Sequence, residues 1–242
     1  MDTFVKYIAT GVISATVVAV IFVLNRKRPR VATPERFRAL LFADQALEDL
    51  VSNPTTSSAR HPAWATFGNA RALVSAGRIE EARAQLKVLL EETTLPTRIQ
   101  LWAWGALRSI GEQPPDSAAH AAQGAVIEIP QPFGVDTFAV YSGGAVRYVS
   151  AGGQIVTRDT PDDATRAQAD EILQFLTSVT PSMIETSEHP EPGTDKVYVT
   201  VLTFSGTRYA SAPLRELQER KHPFSKVYFT SAEIIERLAR EG

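Results

Sequence analysis

The chain of 242 residues contains no cysteine. This absence excludes disulfide bonds, zinc–thiolate sites and thiol nucleophiles, and it suits a reducing compartment. A large excess of charge of one sign is also missing, because the formal net charge at pH 7 is only −2. Hydrophobic residues make up 44% of the chain and charged residues 21%, values typical of a folded protein rather than a disordered one.

The few surplus charges are unevenly distributed. Residues 1–30 hold five basic residues and one acidic residue, whereas residues 31–242 hold 20 basic and 26 acidic residues. The long acidic part has no general attraction for a phosphate backbone, so we expect no nucleic-acid partner.

Charge is absent from residues 7–24, which read YIATGVISATVVAVIFVL. A helix of this length spans about 27 Å, close to the hydrocarbon core of about 30 Å. A signal peptide would carry its basic residues before the apolar run and a small-residue cleavage site after it, and a buried soluble helix would show a polar stripe. The sequence therefore predicts a transmembrane anchor over residues 1–30, with membrane lipid as the partner of residues 7–24.

The basic residues Arg26, Lys27, Arg28 and Arg30 follow this run, and Lys6 alone precedes it. Because basic residues stay on the cytoplasmic side, we expect a single pass with the N-terminus outside and the C-terminal bulk in the cytoplasm. The same cluster is either a topology signal only, which we favour, or a contact with anionic head groups.

Residues 31–123 have helical periodicity. A helix is predicted to start at Thr33-Pro34-Glu35 and to continue to Val51, because apolar residues recur at helical spacing. Trp64 to Leu90 reads as a helical hairpin with its turn at Ala76-Gly77. It resembles one tetratricopeptide unit, and a single unit favours a small bundle over a repeat array. A further helix follows Pro96.

Residues 124–242 are rich in strand signals. Four strands, a helix, two strands and a helix predict an α+β fold, an antiparallel sheet with helices on one face. The last helix is predicted over 223–240, with a short strand at 226–230 as the alternative. The other predicted elements are strands at 125–130, 136–141, 145–150, 154–159, 196–204 and 207–212 and a helix at 162–180.

Arg147 is a candidate binding residue. If Gly143-Gly144 forms a two-residue hairpin turn, Arg147 lies opposite Val140, with Phe138 and Val149 on the same face. An arginine among apolar neighbours either extends its charge to water or pairs with a carboxylate.

Asp136, Tyr148 and Arg208 complete this set of strand candidates. The functional interpretation is that Arg147 and Arg208 bind an anion or a peptide carboxylate, and the structural one is that Asp136 only caps its strand. Trp104 is a candidate partner contact, because Trp102 and Trp104 point to different faces of one helix and an exposed tryptophan favours binding. A packing role for Trp104 is the preferred interpretation.

Motifs for catalysis are missing. All four histidines are expected in loops, and no pair has the spacing of a helical metal site. No nucleophile elbow, phosphate-binding loop or dinucleotide motif stands between a strand and a helix. Asp159, Asp162 and Asp163 surround Thr160-Pro161, which is typical of a helix start. We therefore predict no catalytic residue, no metal site and no cofactor.

Three segments carry a resemblance to known proteins: LWAWGALRSIGEQPP (101–115), GVDTFAVYSGGAVRYVSAGGQIV (134–156) and VYVTVLTFSG (197–206). They resemble a family of uncharacterised bacterial proteins in which a Trp-containing helix and a Pro-Pro linker precede a domain opening with a Gly-x-Asp-Thr strand. The resemblance covers residues 60–240. It implies a bacterial origin and hence the inner membrane, and it supplies no catalytic residue.

Two functional hypotheses follow. The first is a membrane-tethered, cytoplasm-facing, non-catalytic binding or adaptor protein with an unidentified protein partner. The second is an enzyme with its site between the helical segment and the α+β segment, using Asp136 and Arg147. We favour the first, because the anchor and the helical hairpin suit recruitment and no catalytic motif is visible.

Overall fold

The computed structural model describes residues 34–47, 61–92, 94–186, 188–189 and 192–241. Their centre is a seven-stranded sheet with the strand order β4-β3-β2-β1-β6-β7-β5, in which every neighbouring pair is antiparallel. The strands are β1 Gly124–Gln131, β2 Gly134–Tyr141, β3 Val146–Val149, β4 Ile155–Arg158, β5 Ile184–Thr186, β6 Lys196–Thr203 and β7 Gly206–Pro213.

Helices precede, interrupt and follow these strands. The helical hairpin predicted from the sequence is confirmed as α2 and α3, and its turn holds Gly77 at a positive φ of 75°. The helices are α1 Pro34–Leu41, α2 Ala63–Ser75, α3 Ile79–Leu90, α4 Thr97–Ser109, α5 Asp116–Ala119, α6 Asp163–Val179, α7 Leu214–Gln218 and α8 Ser225–Glu241.

The two faces of the sheet pack against different helices, because side chains alternate along each strand. Ala125 and Ile127 of β1 belong to a buried cluster with residues of α6 and α8. Val126, between them, belongs to a second cluster with residues of α1 to α4. The predicted α+β fold with an antiparallel sheet is therefore confirmed, but helices cover both faces instead of one.

The structure contradicts the predicted transmembrane fold class. Within the described ranges, no helix combines the length and the apolar character that a bilayer requires. The longest helices of those ranges, α6 and α8, have 17 residues each and carry acidic and basic side chains, which are costly in lipid. The transmembrane helix, the single-pass topology and the inner-membrane location are therefore corrected. Residues 7–24 and the basic cluster at 26–30 lie outside the described residues.

The predicted helix from Pro34 to Val51 is also corrected, because α1 ends at Leu41. The hydroxyl of Tyr141 donates to the carbonyl oxygen of Leu41 at 2.7 Å and so satisfies a terminal carbonyl from the sheet. Phe42 is buried, and Ala43 has a positive φ of 50°. The chain at Asp44 is therefore irregular. Residues 48–51 lie outside the described residues.

The hairpin between β2 and β3 has a longer turn than predicted. The backbone N–H of Tyr141 donates to the carbonyl of Ala145, so three residues form the turn, two of them glycines with φ of 85° and 87°. Arg147 consequently pairs with Ala139 and not with Val140. A shift of one residue places Arg147 on the face opposite Phe138, toward the helices α1 to α4.

The connection from β5 to β6 crosses a face of the sheet. Both strands are antiparallel to β7, which lies between them, so they run parallel to each other and the chain must return along the sheet. His189 of this connection stacks on Phe42 with ring centroids 3.7 Å apart. Because Phe42 belongs to the cluster with α1 to α4, the connection passes over that face.

Candidate functional site

Asp136 and Tyr148, two of the residues selected from the sequence, lie together at the β3–β4 edge of the sheet. The two carboxylate oxygens of Asp136 accept hydrogen bonds from the backbone N–H of Ala151 and from Nε2 of Gln131, both at 2.8 Å. Burial raises the pKa of Tyr148, and the negative charge of Asp136 raises it further. Asp136 therefore joins the β1–β2 hairpin to the β3–β4 turn.

Arg147 is buried at the same edge, on the other face of the sheet. Its guanidinium donates to the carbonyl oxygens of Val146 at 2.8 Å and Arg158 at 3.1 Å, and it pairs with Asp159. These contacts tie β3 to the end of β4. Within the described chain, the guanidinium of Arg147 therefore bonds to groups of the sheet and of the residue that follows β4.

Arg208 and Trp104 lie at the opposite end of the sheet. Arg208 contacts Glu185 of β5 at 3.4 Å, and Trp104 packs on Phe204 with ring centroids 5.9 Å apart. Both residues therefore hold the strands and the turn that surround a cavity. The membrane-flanking residues Arg26, Lys27, Arg28 and Arg30 lie outside the described residues.

This cavity has a volume of about 440 Å³ and lies between the helical segment and the sheet. The helical segment contributes one residue from the irregular chain after α1 and one from α4. The sheet contributes β5, the β6–β7 turn and the start of β7. The lining residues are Asp44, Arg108, Glu185, Thr186, Ser205, Gly206 and Thr207.

Arg108 is the basic residue among the described residues of the lining. It lies one helical turn after Trp104 on α4, and its Nη1 donates to the carbonyl oxygen of Phe204. No carboxylate of the described residues is within ion-pair distance of its guanidinium. Burial lowers the pKa of Arg108 and the charge of Asp44 raises it, but a guanidinium keeps its proton in proteins.

The two carboxylates of the lining each have a basic partner outside it. Asp44 bonds Nε2 of His189, and Glu185 pairs with Arg208. Nδ1 of His189 is buried and has no hydrogen-bond partner among the residues of the described chain. The Asp44–His189 contact therefore fixes the β5–β6 connection against the chain after α1.

Hydroxyl groups supply the rest of the polar lining. The Ser205 hydroxyl lies 2.9 Å from Oγ1 of Thr203 and 3.2 Å from Nδ1 of His120. Oγ1 of Thr207 donates to the carbonyl oxygen of Thr186. Ser205 and Asp44 of the lining thus each contact a histidine outside it, but the two histidines are different and the contacts do not form a triad.

The charged groups of the cavity do not form a metal site. In the part of the chain that the structure describes, no group of three or more histidine or acidic side chains is placed to hold a metal ion. Among the described residues, the lining includes Arg108, Asp44 and the hydroxyl residues Ser205 and Thr207, which suits a polar organic ligand.

No family model matches this chain, and no curated protein or solved structure matches it either. The assignment of the site therefore depends on its own geometry.

Sequence patterns do not select the residues that define the cavity. Asp44, Arg108, Glu185 and Ser205 come from four distant segments. Asp44 lies inside the predicted helix, and His189 and His120, which contact lining residues, are predicted in loops. The sole local signal is the spacing of Trp104 and Arg108, which places both on one side of α4.

Proposed function

We propose that residues 34–242 form a non-catalytic binding module and that the cavity is the site where it receives part of a protein partner. The observation that supports this most is Arg108, a half-buried guanidinium in the lining without a carboxylate at ion-pair distance among the described residues. Removing such a charge from water is costly unless another group compensates it. A bound partner would provide that compensation.

The contacts around the cavity also support binding. Trp104 packs on the ring of Phe204, and Arg108 donates to its carbonyl oxygen, so helix α4 contacts the β6–β7 turn at two points. The Asp44–His189 contact holds the opposite wall. A lining fixed by several contacts is pre-organised, which reduces the entropy lost on binding.

Site-specific photo-crosslinking tests this proposal. A photoreactive residue at Thr207, in the lining, should give a defined crosslinked product in cells, whereas the same residue at Arg215, 87% exposed on α7, should not. The product at Thr207 should disappear when Arg108→Met is added. A product that forms equally at both positions, or that does not depend on Arg108, would contradict the proposal.

A second candidate function is hydrolysis with Ser205 as the nucleophile. The observation in its favour is the 3.2 Å contact between the Ser205 hydroxyl and His120, since a nucleophile and its base must lie within hydrogen-bond reach. Ser205 also contacts Thr203, and Asp44 bonds His189 instead of His120, so the base lacks an orienting carboxylate within the described chain. A fluorophosphonate probe that labels the wild type but not Ser205→Ala would favour the enzyme.

A further inference from the structure

Three features of the described residues remain without a role after the fold is explained. They are the buried Arg38–Glu128 pair, the partly exposed Tyr198–Tyr209 contact and the open side of Arg108. The first compensates its own charge, and the second is a contact between two aromatic rings. Arg108 alone faces a cavity with a defined set of charges.

We infer that the cavity recognises a free carboxylate, the C-terminal carboxylate of a partner chain, and that Arg108 binds it. This inference rests on the proposed function and names the group that the site selects. The guanidinium presents parallel N–H groups that match the two oxygens of a carboxylate. One N–H is already used by the carbonyl of Phe204, and the other nitrogens remain for the ligand.

The charges of the lining favour a monoanion. Asp44 is in the lining, and its carboxylate would repel a phosphate with two negative charges more strongly than a ligand with one. Arg108 has no carboxylate at ion-pair distance among the described residues, so its charge remains available to a ligand with a single negative charge. The hydroxyls of Ser205 and Thr207 lie in the same lining as further hydrogen-bonding groups.

The position of the cavity favours a chain terminus over a small acid. A volume of about 440 Å³ is much larger than a carboxylate needs and accommodates several atoms beyond it. Thr186 of β5 is part of the lining, and β5 is the outermost strand on this side of the sheet. An edge strand offers main-chain groups to an extended peptide, so the residues before the terminus have a surface to follow.

The experiment uses two pools of random hexapeptides that differ only at the C-terminus, one with free carboxylates and one amidated. The full chain is immobilised, and retained peptides are quantified by mass spectrometry. The free-acid pool should be retained about tenfold more than the amidated pool, the size of effect that one charged hydrogen-bonded pair gives. Acetate and inorganic phosphate are added separately as competitors, and acetate should displace the peptides at lower concentration.

Variants separate the inference from the proposed function. Arg108→Met should reduce retention of the free-acid pool to that of the amidated pool, Arg108→Lys should retain part of the preference, and Arg215→Met should leave it unchanged. Equal retention of both pools that still depends on Arg108 would overturn the carboxylate inference and leave the binding site in place. Retention of neither pool, or of acetate without peptides, would overturn the chain-terminus inference, and the Thr207 crosslink would then decide the proposed function separately.

Discussion

The two ends of the sheet use their charged residues differently. At the β3–β4 edge, Asp136 and Arg147 bond to backbone and side-chain groups of the fold itself. At the β5–β7 end, Arg108 faces a cavity, and one backbone carbonyl is its hydrogen-bond partner in the described chain. The first arrangement is typical of residues that stabilise a fold. The second arrangement is typical of residues that bind a ligand.

The residues that stand out in the sequence differ from the basic residue that lines the cavity. Asp136 and Arg147 stand out in the sequence because they interrupt apolar strands, and a polar group in such a position usually has partners inside the protein. Arg108 lies on an amphipathic helix where charge is ordinary. The comparison predicts that substitutions at the β3–β4 edge reduce stability and that substitution of Arg108 reduces binding.

Asp136→Ala should give the largest loss of stability. The substitution leaves the N–H of Ala151 and Nε2 of Gln131 without their acceptor, which costs about 2–3 kcal/mol in the free energy of unfolding. Urea denaturation followed by circular dichroism measures this change. Asp136→Asn is the matched control, because its amide oxygen still accepts from Ala151, and it should lose less than half as much. A loss below about 0.5 kcal/mol for the alanine variant would show that Asp136 does not stabilise the fold.

Arg147→Met should reduce the free energy of unfolding by about 2 kcal/mol, because the carbonyls of Val146 and Arg158 lose a charged donor at a buried position. Asp159, which is 80% exposed, becomes hydrated and adds little to the cost. The same urea titration applies, with Arg215→Met as the control that should change little. Retention of the free-acid peptide pool should stay at the wild-type level, and its loss in a folded variant would place Arg147 in the binding site.

Asp162→Ala should have a smaller effect, about 1 kcal/mol, through the loss of the N-cap of α6. The carboxylate accepts from the backbone N–H of Thr165 at 2.8 Å and from its hydroxyl at 3.0 Å. The backbone hydrogen bond is the largest cause that lowers the pKa of Asp162 below its ordinary value of 3.8. The native state therefore favours the ionised form, and the contribution is complete above about pH 5.

The pH dependence of this variant gives a second measurement. As the pH falls through the lowered pKa of Asp162, the wild type should lose the contribution, and the difference between wild type and Asp162→Ala should decrease. Denaturation at several pH values between about 3 and 7 measures this difference. A difference that stays constant over this range would show that the carboxylate charge does not matter for the cap.

Local sequence patterns predicted much of the architecture. The helical hairpin α2–α3 and the strong strand β6 follow from periodicity and β-branched residues, and the structure confirms them. The helix start predicted at Thr160-Pro161 is corrected, because the N-cap of α6 is Asp162. The end of α1 at Leu41 was not predictable in this way. It depends on a hydrogen bond from Tyr141, one hundred residues further along the chain.

Local sequence patterns could not predict the face of Arg147 or the location of the cavity, and the reasons are related. Two adjacent glycines allow turns of two or three residues, and the choice between them reverses the face of every following residue in the strand. The cavity depends on the unusual path of the chain between β5 and β6 and on contacts between distant segments, such as Asp44 with His189. No local sequence pattern indicates that such distant segments come into contact.

Arg108→Met should have the smallest effect on stability and the largest on binding. The substitution keeps much of the side-chain volume and removes one hydrogen bond to the carbonyl of Phe204, but it also removes a partly buried charge without a carboxylate at ion-pair distance among the described residues. These two terms oppose each other, so the free energy of unfolding should change by less than about 1 kcal/mol.

The free energy of unfolding and the retention of free-acid peptides are measured on the same preparations of each variant. Urea denaturation should place Arg108→Met within error of Arg215→Met, while the preference for free-acid peptides disappears in the first and persists in the second. If Arg108→Met instead destabilises the protein as much as Asp136→Ala, the guanidinium of Arg108 stabilises the fold. The two ends of the sheet would then be alike, because a charge that contributes to folding already has its compensation inside the protein.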